Sequence, residues 1–254
     1  MSHNLSAGSQ PQEAELDRPL YTPIKRRSFF MYAGATAGAT ALVLAGCKDD
    51  SNSNSPGTVN VGSGDVGVLN YAYALEQLEA AFYTSLRTGS YYTGLGAGSA
   101  EKLILDDLYY HEVIHRDFFR AAITNAGATP IKALTPDFSK IDFTSKASVL
   151  GAAKAFEDLG VAAYNGAGRF ITTPLYLVIA GKIVSVEARH AAIIRDLVSE
   201  GTFVGSDVVN LTTATTNGGL SIPSAELSKL PSVVVATANM YLADGSKLDV
   251  SGLG

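Results

Sequence analysis

Two Glu-x-x-His pairs, Glu112/His115 and Glu187/His190, stand 75 residues apart in the chain. Three residues along an α-helix turn the side chains by about 300°, so the glutamate and histidine of each pair share one helix face. Each pair is preceded by a further glutamate in matching context. Leu75-Glu76-Gln77-Leu78 is followed by Tyr83, and Phe156-Glu157-Asp158-Leu159 by Tyr164. In both, tyrosine comes seven residues after glutamate, about −20° around a helix. The chain therefore reads as helix pair, crossover, helix pair, each pair supplying Glu and then Glu-x-x-His.

The flanking residues set the expected helices. The first runs from about Asp65, as N-cap, to Arg87, with Leu69, Tyr73, Glu76, Ala80 and Tyr83 as its inward stripe. A carboxylate, Glu76, stands where an amphipathic helix normally carries a hydrophobe, and Glu79 lies one turn on. Glycines in 88–98 make the turn. The second helix runs from about Ser99 to Asn125, with Leu103, Leu105, Leu108, Glu112, His115, Phe119 and Ala122 as its stripe. Gly127 and Pro130 stop it. Residues 126–146 are long enough for a crossover between helices that are not antiparallel neighbours. The third helix starts near Ser145 or Ser148, is rich in Gly and Ala, and ends near Phe170. The fourth starts at Pro174, a good first-turn residue, and ends near Glu200. In the tail, 201–254, a short helix or strand is expected between Ser224 and Tyr241, and an extended end from Lys247; the tail is expected to pack on the bundle.

Facing one another, the pairs give Glu76, Glu112, His115, Glu157, Glu187 and His190. Four carboxylates and two imidazoles suit two divalent first-row ions better than magnesium or calcium. Two dications offset four carboxylate charges, whereas four carboxylates clustered without metal would repel and partly protonate. One Glu-x-x-His alone usually marks a solvated face; the second copy and the preceding glutamates give the pattern its specificity. Glu79, Tyr83 and Tyr164 are placed to support the ligands. His111 points about 100° away from Glu112 and reads as a neighbour rather than a ligand. Asp107, Asp158 and Arg189 are candidates for orienting ligands.

This order, with the phrases NYAYALEQLEAAFY and AFEDLGVAAYNGA, resembles the ferritin-like di-metal carboxylate proteins, a family that includes desiccation-related proteins. The resemblance covers roughly residues 65–200. It implies an all-α, ferritin-like four-helix bundle with one long crossover and a C-terminal tail. It further implies Glu76 and Glu157 as terminal or chelating ligands, Glu112 and Glu187 as bridges, and His115 and His190 as ligands to one metal each. The cofactor it implies is a pair of iron or manganese ions.

The N-terminal 46 residues read as an address. Lys25-Arg26-Arg27 precedes two phenylalanines and an apolar run from Met31 to Leu44, too short to span a bilayer as a helix. Basic region, short apolar region and small residues in that order fit a signal peptide. The paired arginines resemble a twin-arginine export signal, and Leu44-Ala45-Gly46-Cys47 resembles a bacterial lipobox. Cys47, the one cysteine, is then the lipidation site and membrane anchor. Residues 47–64, polar and rich in Ser, Asn and Gly, read as a flexible tether. His3 would be absent from the mature chain.

The net charge of −5 gives no basic surface for nucleic acid. The sequence thus leads to an exported, lipid-anchored, periplasmic or cell-envelope protein with a dinuclear centre. Such a centre is expected to act as a ferroxidase, peroxidase or catalase-like oxidoreductase, its partner a small oxidant, oxygen or peroxide. The alternative is a non-catalytic metal-binding or desiccation-protective envelope protein. A homo-oligomer is compatible with either.

Overall fold

A computed structural model describes residues 57–209, 215–217, 220–222 and 225–253. His3, the address at 1–46, Cys47 and the first part of the tether lie outside the described residues. After a short strand β1 (Thr58–Asn60) come α1 (Gly64–Thr88), a single turn α2 (Ser90–Thr93), and α3 (Ala100–Asn125). A crossover leads to α4 (Lys146–Ala167), a 3-10 turn (Gly168–Phe170) and α5 (Pro174–Val198). The hairpin β2 (Thr215–Asn217) and β3 (Leu220–Ile222), α6 (Pro231–Ala238), a second 3-10 turn (Asn239–Tyr241) and β4 (Lys247–Asp249) complete the chain. The fold is all-α: α1, α3, α4 and α5 form a four-helix bundle, with a C-terminal extension. The closest pairings are α1 with α3 and α4 with α5.

Each bundle helix follows from its residues. The Ser99 side chain accepts from the Lys102 amide and that of Ser145 from the Ser148 amide, two N-caps that start α3 and α4. In α1 the expected stripe of Leu69, Tyr73, Glu76, Ala80 and Tyr83 is buried throughout. In α3, Leu105, Leu108, Glu112 and Phe119 are buried, but Leu103 is 53% exposed. Leu103 and Leu105 are two residues, about 200°, apart and cannot share a face. Asp65 is not the cap of α1, which begins one residue earlier behind Ser63. Its carboxylate instead accepts from the amides of Thr172 (2.7 Å) and Thr173 (2.9 Å), tying the start of α5 to the start of α1.

The crossover, 126–145, lies along α1. The Ile131 amide donates to Asn70 Oδ1 and the Leu134 amide to Gln77 Oε1. Phe82, Phe138, Phe143, Phe156 and Tyr241 form an aromatic cluster joining α1, the crossover, α4 and the extension.

Residues 58–60, inside the stretch read as tether, form a strand. β1 pairs in parallel with β4, Val59 opposite Leu248, because Val59 and Val61 alternate inward and are buried. The extension is also held by Arg195. Its guanidinium meets both oxygens of Asp158 on α4 (2.7 and 2.8 Å) and both of Asp207 (2.8 and 3.1 Å). No helix among the described residues is long and apolar enough to cross a membrane.

Candidate metal centre

The bundle brings all six predicted residues together. Glu76 comes from α1, Glu112 and His115 from α3, Glu157 from α4, and Glu187 and His190 from α5. The four glutamates are fully buried and His190 nearly so, whereas His115 is partly open. Their ligand atoms form two groups capable of holding a metal ion: Glu76, Glu112, His115 and Glu187, and Glu112, Glu157, Glu187 and His190. Within each group the atoms lie within 4.8 Å of one another, and Glu112 and Glu187 belong to both. One outer glutamate and one histidine per group, with two carboxylates common to both, is the arrangement the resemblance implies.

The donor atoms fit a metal pair. His115 Nδ1 lies 2.8 Å from Glu187 and 3.5 Å from Glu76; His190 Nδ1 lies 2.8 Å from Glu112 and 3.5 Å from both Glu157 and Glu187. These are charge contacts without hydrogen-bond geometry. Glu76 Oε2, Glu157 Oε2, both oxygens of Glu112 and Glu187, and Nδ1 of both histidines are buried without a hydrogen-bond partner. Buried polar atoms left this way are costly, so a cluster of them converging on one point calls for a cation.

The electrostatics of the bare cluster agree. Burial, then the charge of Glu187, pushes the Glu112 carboxyl well above the usual carboxylate range. Burial also raises Glu76 and Glu157, against the pull of the adjoining histidines. Burial opposes a charge on His115, but its contacts with Glu112, Glu187 and Glu76 win and push it up to about 12. His190 moves in the same direction, against its burial, through Glu112 and Glu157. Glu187 is desolvated too, yet two histidines hold it down at about 2. Without metal the cluster keeps protons that a cation would displace.

Two tyrosines support the outer glutamates. Tyr83 on α1 donates to Glu157 on α4, at 2.5 Å, and Tyr164 on α4 donates to Glu76 on α1. Glu79 is buried against Gly160, where a Cβ would come within 2.9 Å of its Oε1, and belongs to neither group. Asp158 and Arg189 do not orient ligands: Asp158 binds Arg195, and Arg189 reaches back to the Ser185 carbonyl. His111, off the inward face of α3, meets His190 with an Nδ1···Nε2 distance of 2.9 Å. Spacing along α3 could not reveal that contact, because the partner ring comes from α5.

Tyr164 lines an apolar cavity of about 50 Å³. Leu69, Ala72, Phe119, Ala122, Ala163 and Tyr164 are among its lining residues, so Tyr164 both walls the cavity and holds Glu76.

Comparison with known proteins agrees with this geometry. A family model described as ferritin-like domain matches residues 64–200, which span all four bundle helices. No curated protein matches the chain.

Proposed function

This chain belongs to the ferritin-like domain family, and we propose that its cluster holds two iron or manganese ions that react with dioxygen or peroxide. The observation that carries the reading is the pair of four-residue groups sharing Glu112 and Glu187, with their donor atoms buried and unpartnered. Glu76 and His115 would serve one ion, Glu157 and His190 the other, and Glu112 and Glu187 both. Imidazole with carboxylate favours first-row metals over magnesium or calcium. Held by these residues, two such ions would supply the electron pair that, with two protons from water, takes dioxygen to peroxide or peroxide to water.

The protein's own groups do the rest. Tyr83 and Tyr164 donate hydroxyl hydrogen bonds to Glu157 and Glu76 and fix how those carboxylates face the centre. The packing that buries the four glutamates keeps bulk water from them, which strengthens each electrostatic contact. The apolar cavity behind Tyr164 suits a small, weakly hydrated molecule on its way to the centre.

The test is anaerobic reconstitution of the protein with iron(II) or manganese(II), then exposure to oxygen or peroxide while the absorption spectrum is followed. Two ions per chain, lost in Glu112→Ala, and oxidation on exposure are expected. Stoichiometry well below two, unchanged in that variant, overturns the site. Two ions bound without turnover favours the non-catalytic, stress-protective reading.

We also propose that the protein is exported and anchored by lipid at Cys47. The support is the order of Arg26-Arg27, the apolar run 31–44 and Leu44-Ala45-Gly46-Cys47. Mass spectrometry of envelope-extracted protein should find a lipidated N-terminal Cys47; an unprocessed N-terminus would refute it.

A further inference from the structure

The two halves of the centre repeat one sequence pattern but not one environment. Glu112 and His115 correspond to Glu187 and His190 at an offset of 75. At the same offset, His111 corresponds to Val186. One half therefore carries an imidazole next to its Glu-x-x-His pair, and the other an aliphatic side chain that can accept nothing.

The imidazole has a definite partner. His190 turns Nδ1 to the glutamates, 2.8 Å from Glu112, and Nε2 to His111 Nδ1, 2.9 Å away. The two ring planes are 11° apart with centroids 5.1 Å apart. With that N···N distance, the rings meet edge to edge rather than face to face. If Nδ1 of His190 binds a metal, its Nε2 must carry the proton, since a neutral imidazole holds one. His111 Nδ1 is then the acceptor, and the proton of His111 sits on its own Nε2. His111 itself is exposed, whereas His190 is buried.

We propose that His111 is a positioning residue that holds His190 as a ligand and makes the Glu157/His190 ion position the tighter of the two. This rests on the metal reading above. A hydrogen-bond acceptor behind a metal-bound histidine fixes its tautomer and ring orientation and raises its basicity. His115 has no such group at the equivalent position, because Val186 stands there. The protein therefore loads its two ions in order, the Glu157/His190 position first.

The test is anaerobic titration of the full-length protein with manganese(II), read by loss of the free-ion paramagnetic resonance signal. Two steps are expected. In His111→Ala the tighter step weakens about 10- to 100-fold and the other stays within about twofold. His111→Asn, which keeps an acceptor close to the same place, recovers most of the loss. Val186→His tightens the weaker step. Equal weakening of both steps in His111→Ala, or no change in either, overturns the proposal. Where manganese(II) does not bind, the same titration is run with iron(II) and read by equilibrium dialysis; a wild-type protein that binds neither ion overturns the metal reading instead. The His111 contact is then still decided by nitrogen-15 NMR of the histidines in metal-free protein. A bare, hydrogen-bonded Nδ1 on His111 is expected there; a proton on that atom overturns the proposal.

Discussion

Tyr83 and Glu157 are joined by a 2.5 Å hydrogen bond from one helix pair to the other, and Tyr164 and Glu76 repeat the bond in the opposite direction. Each tyrosine lies seven residues after the glutamate of its own helix, yet bonds the glutamate of the other. The pseudo-twofold repeat in the sequence is thus a physical exchange across the bundle. Removing either hydroxyl leaves a buried carboxylate oxygen unpaired, at a cost of about 1.5–3 kcal/mol for a bond to a charged group. Tyr83→Phe and Tyr164→Phe should each lower metal affinity about tenfold, measured by anaerobic titration, with the bundle intact by circular dichroism. Tyr71→Phe should behave differently. The Tyr71 hydroxyl is buried without a hydrogen-bond partner, so its removal should leave stability unchanged or raise it in denaturant melts.

Glu112 belongs to both ligand groups, and burial beside Glu187 favours its protonated form when no metal is present. Glutamine mimics that protonated carboxyl in shape and charge. Glu112→Gln should therefore melt at the same temperature as the metal-free parent, or a few degrees higher. It should lose all of the parent's metal-induced rise. A metal-free variant that melts well below the metal-free parent would mean that the carboxylate stabilises the fold rather than the ions.

Metal-free stability should depend on pH in a direction set by the same groups. Glu76, Glu112 and Glu157 have folded values raised first by burial, so their contributions are present below about 4.5 and fade as pH rises through the folded values. His115 contributes below about 6.5 and loses that contribution as pH climbs toward about 12. Glu187 opposes them: its contribution is present above about 4.5 and is lost as pH falls toward about 2. Chelator-treated protein should therefore be most stable in mild acid and melt lower at each step from pH 6 to 9. Added metal should reverse the trend, because ligands must shed protons to bind. Thermal melts across that range, with and without manganese(II), measure both slopes.

The six cluster positions and the starts of α3 near Ser99 and of α4 near Ser145 are legible because helical spacing is local, whereas the cap read at Asp65 falls to Ser63. Counting Leu103 with Leu105 puts it on the buried face, but two residues turn a helix by about 200° and Leu103 faces out. The β1–β4 pairing joins residues 189 apart, Asn60 with Asp249, and no local pattern predicts such a partner. Arg195 looks like one more surface cation of α5. Its burial depends on Asp158 from α4 and Asp207 from the extension, so only the folded chain reveals it.

The cavity behind Tyr164 gives a prediction about the oxidant. Ala122 lines it from α3 and is only partly buried, so a larger side chain can enter without crowding the ligands. Ala122→Leu should fill much of the space. Oxidation of the iron-loaded protein by dioxygen should slow several-fold in stopped-flow traces, while metal stoichiometry stays at the parent value. Unchanged oxidation rates would show that the oxidant arrives by another route.

Two glycines of α4 should respond to alanine with opposite signs. At Gly151 an added Cβ meets nothing within 4 Å, so Gly151→Ala should stabilise the protein by about 0.5–1 kcal/mol through helix propensity. At Gly166 the same Cβ would lie 1.8 Å from the Lys229 carbonyl oxygen and 2.6 Å from its carbonyl carbon. The neighbour is backbone and cannot rotate away, so the segment must lift off α4. That segment is held there by the Lys229 amide on the Ala162 carbonyl (2.9 Å) and Asn165 on the Leu227 carbonyl (3.3 Å). Gly166→Ala should break this seam while leaving the bundle, and Glu157 more than two turns earlier, in place. Limited proteolysis should cut the variant near 225–230 at protease levels that leave the parent whole, and manganese stoichiometry should not change. Loss of metal together with the seam would show that the extension supports the centre as well as covering the bundle.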